Sequence, residues 1–197
     1  MRSGKLLVVA GVMASIFLPA KAQAQFHEGA DMLGVGVGIL GGYNAGWHGA
    51  GAHQSPALNL HYDHGMGKLG PGTWGLGGYL GFKTASYRAW HHQLVHLDYR
   101  YTYLVLGVRG TWHYNEWHGD SNLDTYAGLM LAYNSVTFRN RTDYNSYTYL
   151  DNYRYSGSGL GLGAYVGARY FLSDQIGVYG ELGYGLTWLQ AGLAIRL

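Results

Sequence analysis

The 197-residue sequence predicts an all-β fold: an eight-stranded antiparallel up-and-down transmembrane β-barrel, preceded by a cleavable signal peptide. Three observations carry this reading. Apolar side chains recur at every second position in run after run, which is the period of a strand. The alternate positions hold glycine, tyrosine and isolated charges, as the lumen of a narrow barrel requires. The extreme N-terminus has the pattern of an exported chain.

Arg2 and Lys5 precede an apolar stretch from Leu7 to Pro19, and Ala22-Gln23-Ala24 supplies the small-x-small cleavage pattern. The stretch is too short for a spanning helix. Residues 1–24 are therefore read as the signal peptide and 25–197 as one barrel domain. Removing the leader takes away Arg2, Lys5 and Lys21, so ten basic residues face eleven acidic ones and the net charge becomes −1. No basic run suggests a nucleic-acid partner. With no cysteine, neither a disulfide nor a lipid-modified cysteine is available. The 33 glycines and 3 prolines do not follow the every-third-residue rule of collagen.

The strands follow in order. Leu33, Val35, Val37 and Ile39 oppose Gly34, Gly36 and Gly38. Leu58, Leu60 and Tyr62 oppose Asn59, His61 and Asp63. After Gly70-Pro71-Gly72, the residues Trp74, Leu76, Gly78, Leu80 and Phe82 oppose Gly75, Gly77, Tyr79, Gly81 and Lys83. Leu104, Leu106, Val108 and Trp112 oppose Val105, Gly107, Arg109, Thr111 and His113, with an apparent phase change upstream that a bulge or an exit from the membrane near Tyr103 explains. Ala127, Leu129, Leu131 and Tyr133 oppose Tyr126, Gly128, Met130 and Ala132. Leu160, Leu162, Val166 and Tyr170 oppose Gly161, Gly163, Tyr165, Gly167 and Arg169. Ile176, Val178 and Leu182 oppose Gly177, Tyr179, Glu181 and Gly183. Leu189, Ala191, Leu193, Ile195 and Leu197 oppose Gly192, Ala194 and Arg196.

Each run approaches the 9–11 residues, roughly, that cross a bilayer at a tilt. Closing the last strand on the first removes both sheet edges, which hydrocarbon does not tolerate. Long connections at Asn44–Ser55, Thr84–Val95 and Phe138–Gly157 are placed outside. Short ones near Lys68–Gly72, Asn115–Leu123 and Ser173–Asp174 are placed in the periplasm, and a very short outer one at Gly185–Trp188. Trp74, Trp112, Tyr114 and Tyr170 form an expected periplasmic aromatic girdle.

This alternation puts His61, Asp63, Lys83, Arg109, His113, Arg169, Glu181 and Arg196 in the lumen as a polar network. Asp63 and Glu181 are expected to neutralise some of the arginines. An eight-stranded barrel is just wide enough for its side chains, so cross-bracing is the leading reading and a narrow channel the second. His61, Asp63 and His64, or His91, His92 and His96, are weak candidates for a metal, because His64 points away from the other two. Ser86, His91 or His92, and Asp98 form a trio resembling a hydrolase or acyltransferase site acting on lipid, of a kind common by chance in a polar loop. The last long loop carries Tyr144, Tyr147, Tyr149, Tyr153 and Tyr155, suited to an extracellular glycan, a protein ligand or a lipopolysaccharide head group. No cofactor is implied.

The stretches Pro56–Gly65, Gly72–Gly81, Leu123–Asn134, Gly177–Gly185 and Gly192–Leu197 resemble the small outer-membrane β-barrel proteins of Bacteroidetes-type bacteria, a broad porin-like or opacity-like group. The resemblance implies a cell outer-membrane location, contact with membrane lipid and lipopolysaccharide, and insertion by the barrel-assembly machinery. It carries no catalytic residues. Many such barrels end in Phe, whereas this chain ends in Leu197.

Overall fold

The computed structural model describes residues 25–40, 52–91, 95–140, 143–144, 154–183 and 186–197. Its ten strands are β1 (Asp31–Leu40), β2 (Ala52–Gln54), β3 (Ala57–Leu69), β4 (Gly72–His91), β5 (Val95–His113), β6 (Leu123–Asn140), β7 (Asp143–Tyr144), β8 (Arg154–Phe171), β9 (Ile176–Gly183) and β10 (Leu189–Arg196). Eight of them form a closed antiparallel ring in the order β1, β3, β4, β5, β6, β8, β9, β10. Pairing of β10 with β1, from Met32 opposite Arg196 to Leu40 opposite Leu189, closes it. β2 and β7 are short additions that pair with the ends of β4 and β5.

The wall is inside-out relative to a soluble sheet. Val35, Leu106, Leu131, Leu162 and Val166 are exposed on the exterior, while Tyr79, Tyr126, Tyr165 and Tyr179 are buried inside. Interior glycines make that filling sterically feasible. Tyr126 lies opposite Gly167 and Tyr165 opposite Gly128 on the paired β6 and β8. A Cβ at Gly128 would sit 2.4 Å from Tyr165 Cζ, and one at Gly167 2.5 Å from Tyr126 Cζ. Each tyrosine thus covers the glycine across from it. The apolar exterior and polar interior are those of a β-barrel in the bacterial outer membrane.

Among the described residues, four consecutive ring strands are much longer than the others. β4, β5, β6 and β8, which are consecutive in the ring, have 20, 19, 18 and 18 residues, against 10, 13, 8 and 8 for β1, β3, β9 and β10. At ~3.3 Å per residue and a tilt near 40°, a surplus of about eight residues raises one side roughly 20 Å beyond the membrane. This corrects the sequence reading of the connections. Thr84–Val95 is not a loop, since β4 runs to His91 and β5 starts at Val95; β6 and β8 likewise extend into Phe138–Gly157, and β2 lies within Asn44–Ser55. Alternation persists there but the outward residues become polar, so the apolar signal stops while the strand continues.

No bulge occurs at Tyr103. The register of β5 with both neighbours is unbroken, and Tyr103 is buried in phase with Val105 and Arg109. The apparent phase change came from tyrosines facing inward above the membrane. Register shifts occur instead between Gly65 and Gly67, where β3 meets β4, and between Gly38 and Leu40, where β1 meets β10. Gly67 has φ 149° and Gly70, in the following turn, φ 60°, both in the region glycine adopts readily.

Candidate functional site

Inside the lower half of the ring, Asp63 on β3, Arg109 on β5, Asp124 on β6, Arg169 on β8 and Glu181 on β9 converge. All five are buried. Arg109 Nε lies 3.1 Å from Asp63 Oδ1, and Arg109 Nη2 donates to Glu181 Oε2 at 2.8 Å. Arg169 pairs with the other Asp63 oxygen through Nη2 and with Asp124 Oδ2 at 3.5 Å through Nη1. Asp124 also faces His113 Nδ1 at 2.9 Å and accepts from Asn115 Nδ2 at 2.9 Å.

Hydroxyls and rings complete the shell. Thr111 Oγ1 donates to Asp63 Oδ1 at 3.1 Å and lies 2.7 Å from the Tyr165 hydroxyl. The guanidinium carbons of Arg109 and Arg169 stand 4.1 Å and 4.5 Å from the ring centres of Tyr165 and Tyr126. Gln190, opposite Glu181 in the β9–β10 register, links that carboxylate to Tyr79 at 3.4 and 3.1 Å. Three carboxylates against two guanidiniums, with His113 as a further partner, make a cross-linked ionic layer that ties five strands together. Such a layer needs every member, because each ion left alone in a low-dielectric interior is costly.

Apolar groups flank the layer. Leu186, fully buried, belongs to a cluster with Tyr79, Tyr103, Val105 and Met130. At the other end Phe26 stacks on His113, with ring centres 3.7 Å apart, and joins Met32, Phe171, Tyr179 and Ala194. The lumen is therefore packed with side chains from the N-terminal segment up to the β9–β10 connection.

Of the eight residues expected in the lumen, Asp63, Arg109, His113, Arg169 and Glu181 meet in one cluster. His61 is buried edge-on to Tyr179, at 4.7 Å between ring centres, with Asp63 the next inward position of β3. Lys83 is buried higher up, opposite Tyr103. Arg196 lies at the edge of the cluster: it is half-buried at the mouth of the ring near the C-terminus, where Nη1 donates to the Asp174 carbonyl at 2.9 Å and the guanidinium lies over Phe171. It is the last strand residue, so it reaches the rim and not the centre.

Asp124 was missed because the fifth strand was begun at Tyr126. Extending the same inward phase by two residues reaches it, as one further step beyond Gly192 reaches Gln190. Phe26 and Leu186 lie outside any alternating run and leave no such signal.

The other candidates separate. His64 lies on the outer face, where Nδ1 is 2.6 Å from Asp31 Oδ1 and the Tyr62 hydroxyl donates to the same oxygen at 2.5 Å. His61 and His64 thus stand on opposite sides of the wall. Register sets Ser86 opposite Arg100, and Asp98 opposite Arg88, whose Nε lies 3.7 Å from Asp98 Oδ2. His92, Tyr147, Tyr149 and Tyr153 fall outside the described residues. The projecting wall does carry an aromatic ladder on its inner face: Tyr99 lies 5.7 Å and Tyr101 4.9 Å from Phe138, and Tyr87 stacks on Tyr99 at 6.5 Å.

No family model matches the chain, and no curated protein matches it. Solved structures similar to it are small β-barrels. The attachment invasion locus protein Ail of Yersinia pestis is 14% identical with a TM-score of 0.40, over 86% of this chain and 95% of that one. Ail in complex with the heparin analogue sucrose octasulfate gives 13% and 0.46, over 86% and 96%. The N-terminal β-barrel domain of Pseudomonas aeruginosa OprF is 12% identical with a TM-score of 0.45, over 87% of this chain and all 100% of that one. These likenesses are distant, and the fold rests on the closed register itself.

Proposed function

We propose that the protein is a non-enzymatic outer-membrane barrel whose packed lumen serves as a rigid foundation for an extracellular recognition wall. The observation that carries this reading is the height of one side: β4, β5, β6 and β8 continue well past the apolar band, and β2 prolongs the line of β3 beside β4 as far as Tyr87. A structure built only to span would not need 18 to 20 residues per strand. The ionic layer brackets the base of that wall, since Arg109, Asp124 and Arg169 sit on three of its four strands.

In this reading residues 1–24 are removed on export, the barrel-assembly machinery inserts the mature chain with its tall side outward, and the ligand is an extracellular glycan or protein. Membership of the Bacteroidetes-type small-barrel group is part of the same proposal and rests on the glycine-aromatic segments named above. The test is a variant lacking residues 88–98, closed by a two-residue turn, displayed on cells beside the full chain. Binding of those cells to heparin-coated and mucin-coated surfaces is then compared. The full chain is expected to bind one of them and the shortened barrel, still heat-modifiable on gels, to bind neither. Equal binding by both, or none by the full chain, contradicts the proposal.

A further inference from the structure

The exterior of the tall side changes polarity in steps along its length. Leu80, Leu106, Tyr133 and Leu160 lie side by side across β4, β5, β6 and β8. Two residues further toward the tall end come Phe82, Leu104, Ser135 and Ser158, and next Thr84, Thr102, Thr137 and Ser156. The following row is Ser86, Arg100, Arg139 and Arg154. Each step rises about 5 Å along the tilted strands. Hydrocarbon-facing residues thus give way to hydroxyls, and the hydroxyls to arginines.

Arg100 and Arg139, directly opposite each other on neighbouring strands, are an unfavourable arrangement in isolation, since like charges repel across a sheet. Arg88, one row higher, has Asp98 beside it at 3.7 Å. Arg100 and Arg139 have no carboxylate partner among the described residues. An anion from outside the protein resolves the conflict, and arginine's planar fork suits phosphate oxygens.

We propose that Arg100 and Arg139, opposite each other on β5 and β6, bind the phosphates of a phosphorylated glycolipid in the outer leaflet. Its sugar hydroxyls and ester groups meet the Thr84, Thr102, Thr137 and Ser156 row. Its acyl chains run down the Leu80, Leu106 and Leu160 face. The site takes a lipid-linked sugar phosphate, because the basic row stands directly above an apolar one on the same face. The inference rests on the outward orientation of the tall side given above.

The test uses the purified mature barrel in detergent, with three probes: diphosphoryl lipid A, the same lipid A after phosphatase treatment, and phosphatidylglycerol. Retention is read by native mass spectrometry and affinity by fluorescence titration. Wild type is expected to bind diphosphoryl lipid A at least ten-fold more tightly than either other lipid. R100Q/R139Q should bring the three within about three-fold of one another, and R100K/R139K should keep part of the preference, because it preserves charge without the fork. Heat-modifiable migration certifies that each variant is folded. Equal affinity of wild type for all three lipids, or an unchanged preference in folded R100Q/R139Q, overturns the assignment. Orientation is read separately by labelling Arg88→Cys with an impermeant maleimide on intact cells. Lipid A binding without surface labelling would refute the orientation and leave the arginine row standing as a site for a sugar phosphate.

Discussion

Replacing Asp63 by Asn tests the ionic layer at the residue on which it converges. Asp63 is fully buried, with Oδ1 at 3.1 Å from both Arg109 Nε and Thr111 Oγ1 and Oδ2 paired with Arg169. Asparagine keeps the volume and one acceptor but removes the charge that two guanidiniums share. Arg109 retains Glu181 at 2.8 Å, whereas Arg169 retains only Asp124 at 3.5 Å and the Tyr126 ring. Stripping one partner from a buried ion pair costs about 3–5 kcal/mol, because the remaining ion stays desolvated. That is a large part of an ordinary folding stability of roughly 5–15 kcal/mol. The assay is reversible urea unfolding in phospholipid vesicles, followed by tryptophan fluorescence. Adding Arg169→Met to Asp63→Asn should cost less than the sum of the single changes, with a coupling of about 1–3 kcal/mol. If Asp63→Asn unfolds within ~1 kcal/mol of wild type, an exposed-pair energy, the layer is not a structural brace.

Further changes probe other parts of the account. Gly34→Ala places a Cβ 2.2 Å from the buried His61 ring, so it should cost about 1–3 kcal/mol in the same urea assay. Gly110→Ala meets open space on the exterior and should be neutral or stabilising by up to about 1 kcal/mol. Leu131→Arg, on the lipid face, should cost ~2–4 kcal/mol in vesicles. Phe26→Ala, which empties the stack on His113, should cost about 3–5 kcal/mol. In planar bilayers the wild-type barrel should show no discrete openings, since side chains fill its lumen; steady single-channel steps would contradict that packing.

Much of the barrel was legible because lipid and lumen impose opposite chemistries on alternate residues. Leu129 and Leu131 could only face one way once Met130 and Ala132 were matched with Tyr126 and Gly128. The same logic located Asp63, Arg109, Arg169 and Glu181, charges embedded in otherwise apolar or glycine-rich runs. It failed where lipid no longer reads the outer face. Beyond Phe82 and Leu104 the outward residues are Thr84, Thr102 and Arg100, so strand and loop look alike in sequence, and β4, read as ending at Lys83, runs on to His91. The Arg100–Arg139–Arg154 row was illegible for a second reason, because it exists only in the cross-strand register. Leu186 and Phe26 belong to segments with no periodicity, and what buries them is the lumen that other strands create.

The central claim is the inside-out wall, and the absence of cysteine makes it directly measurable. Single cysteines placed at positions 129 to 133 of β6 and spin-labelled in vesicles should alternate in collisions with dissolved oxygen, which partitions into lipid. Labels at 129, 131 and 133 are predicted to be strongly relaxed by oxygen and those at 130 and 132 weakly. The opposite alternation, or strong relaxation of all five by a water-soluble nickel chelate, would contradict the account.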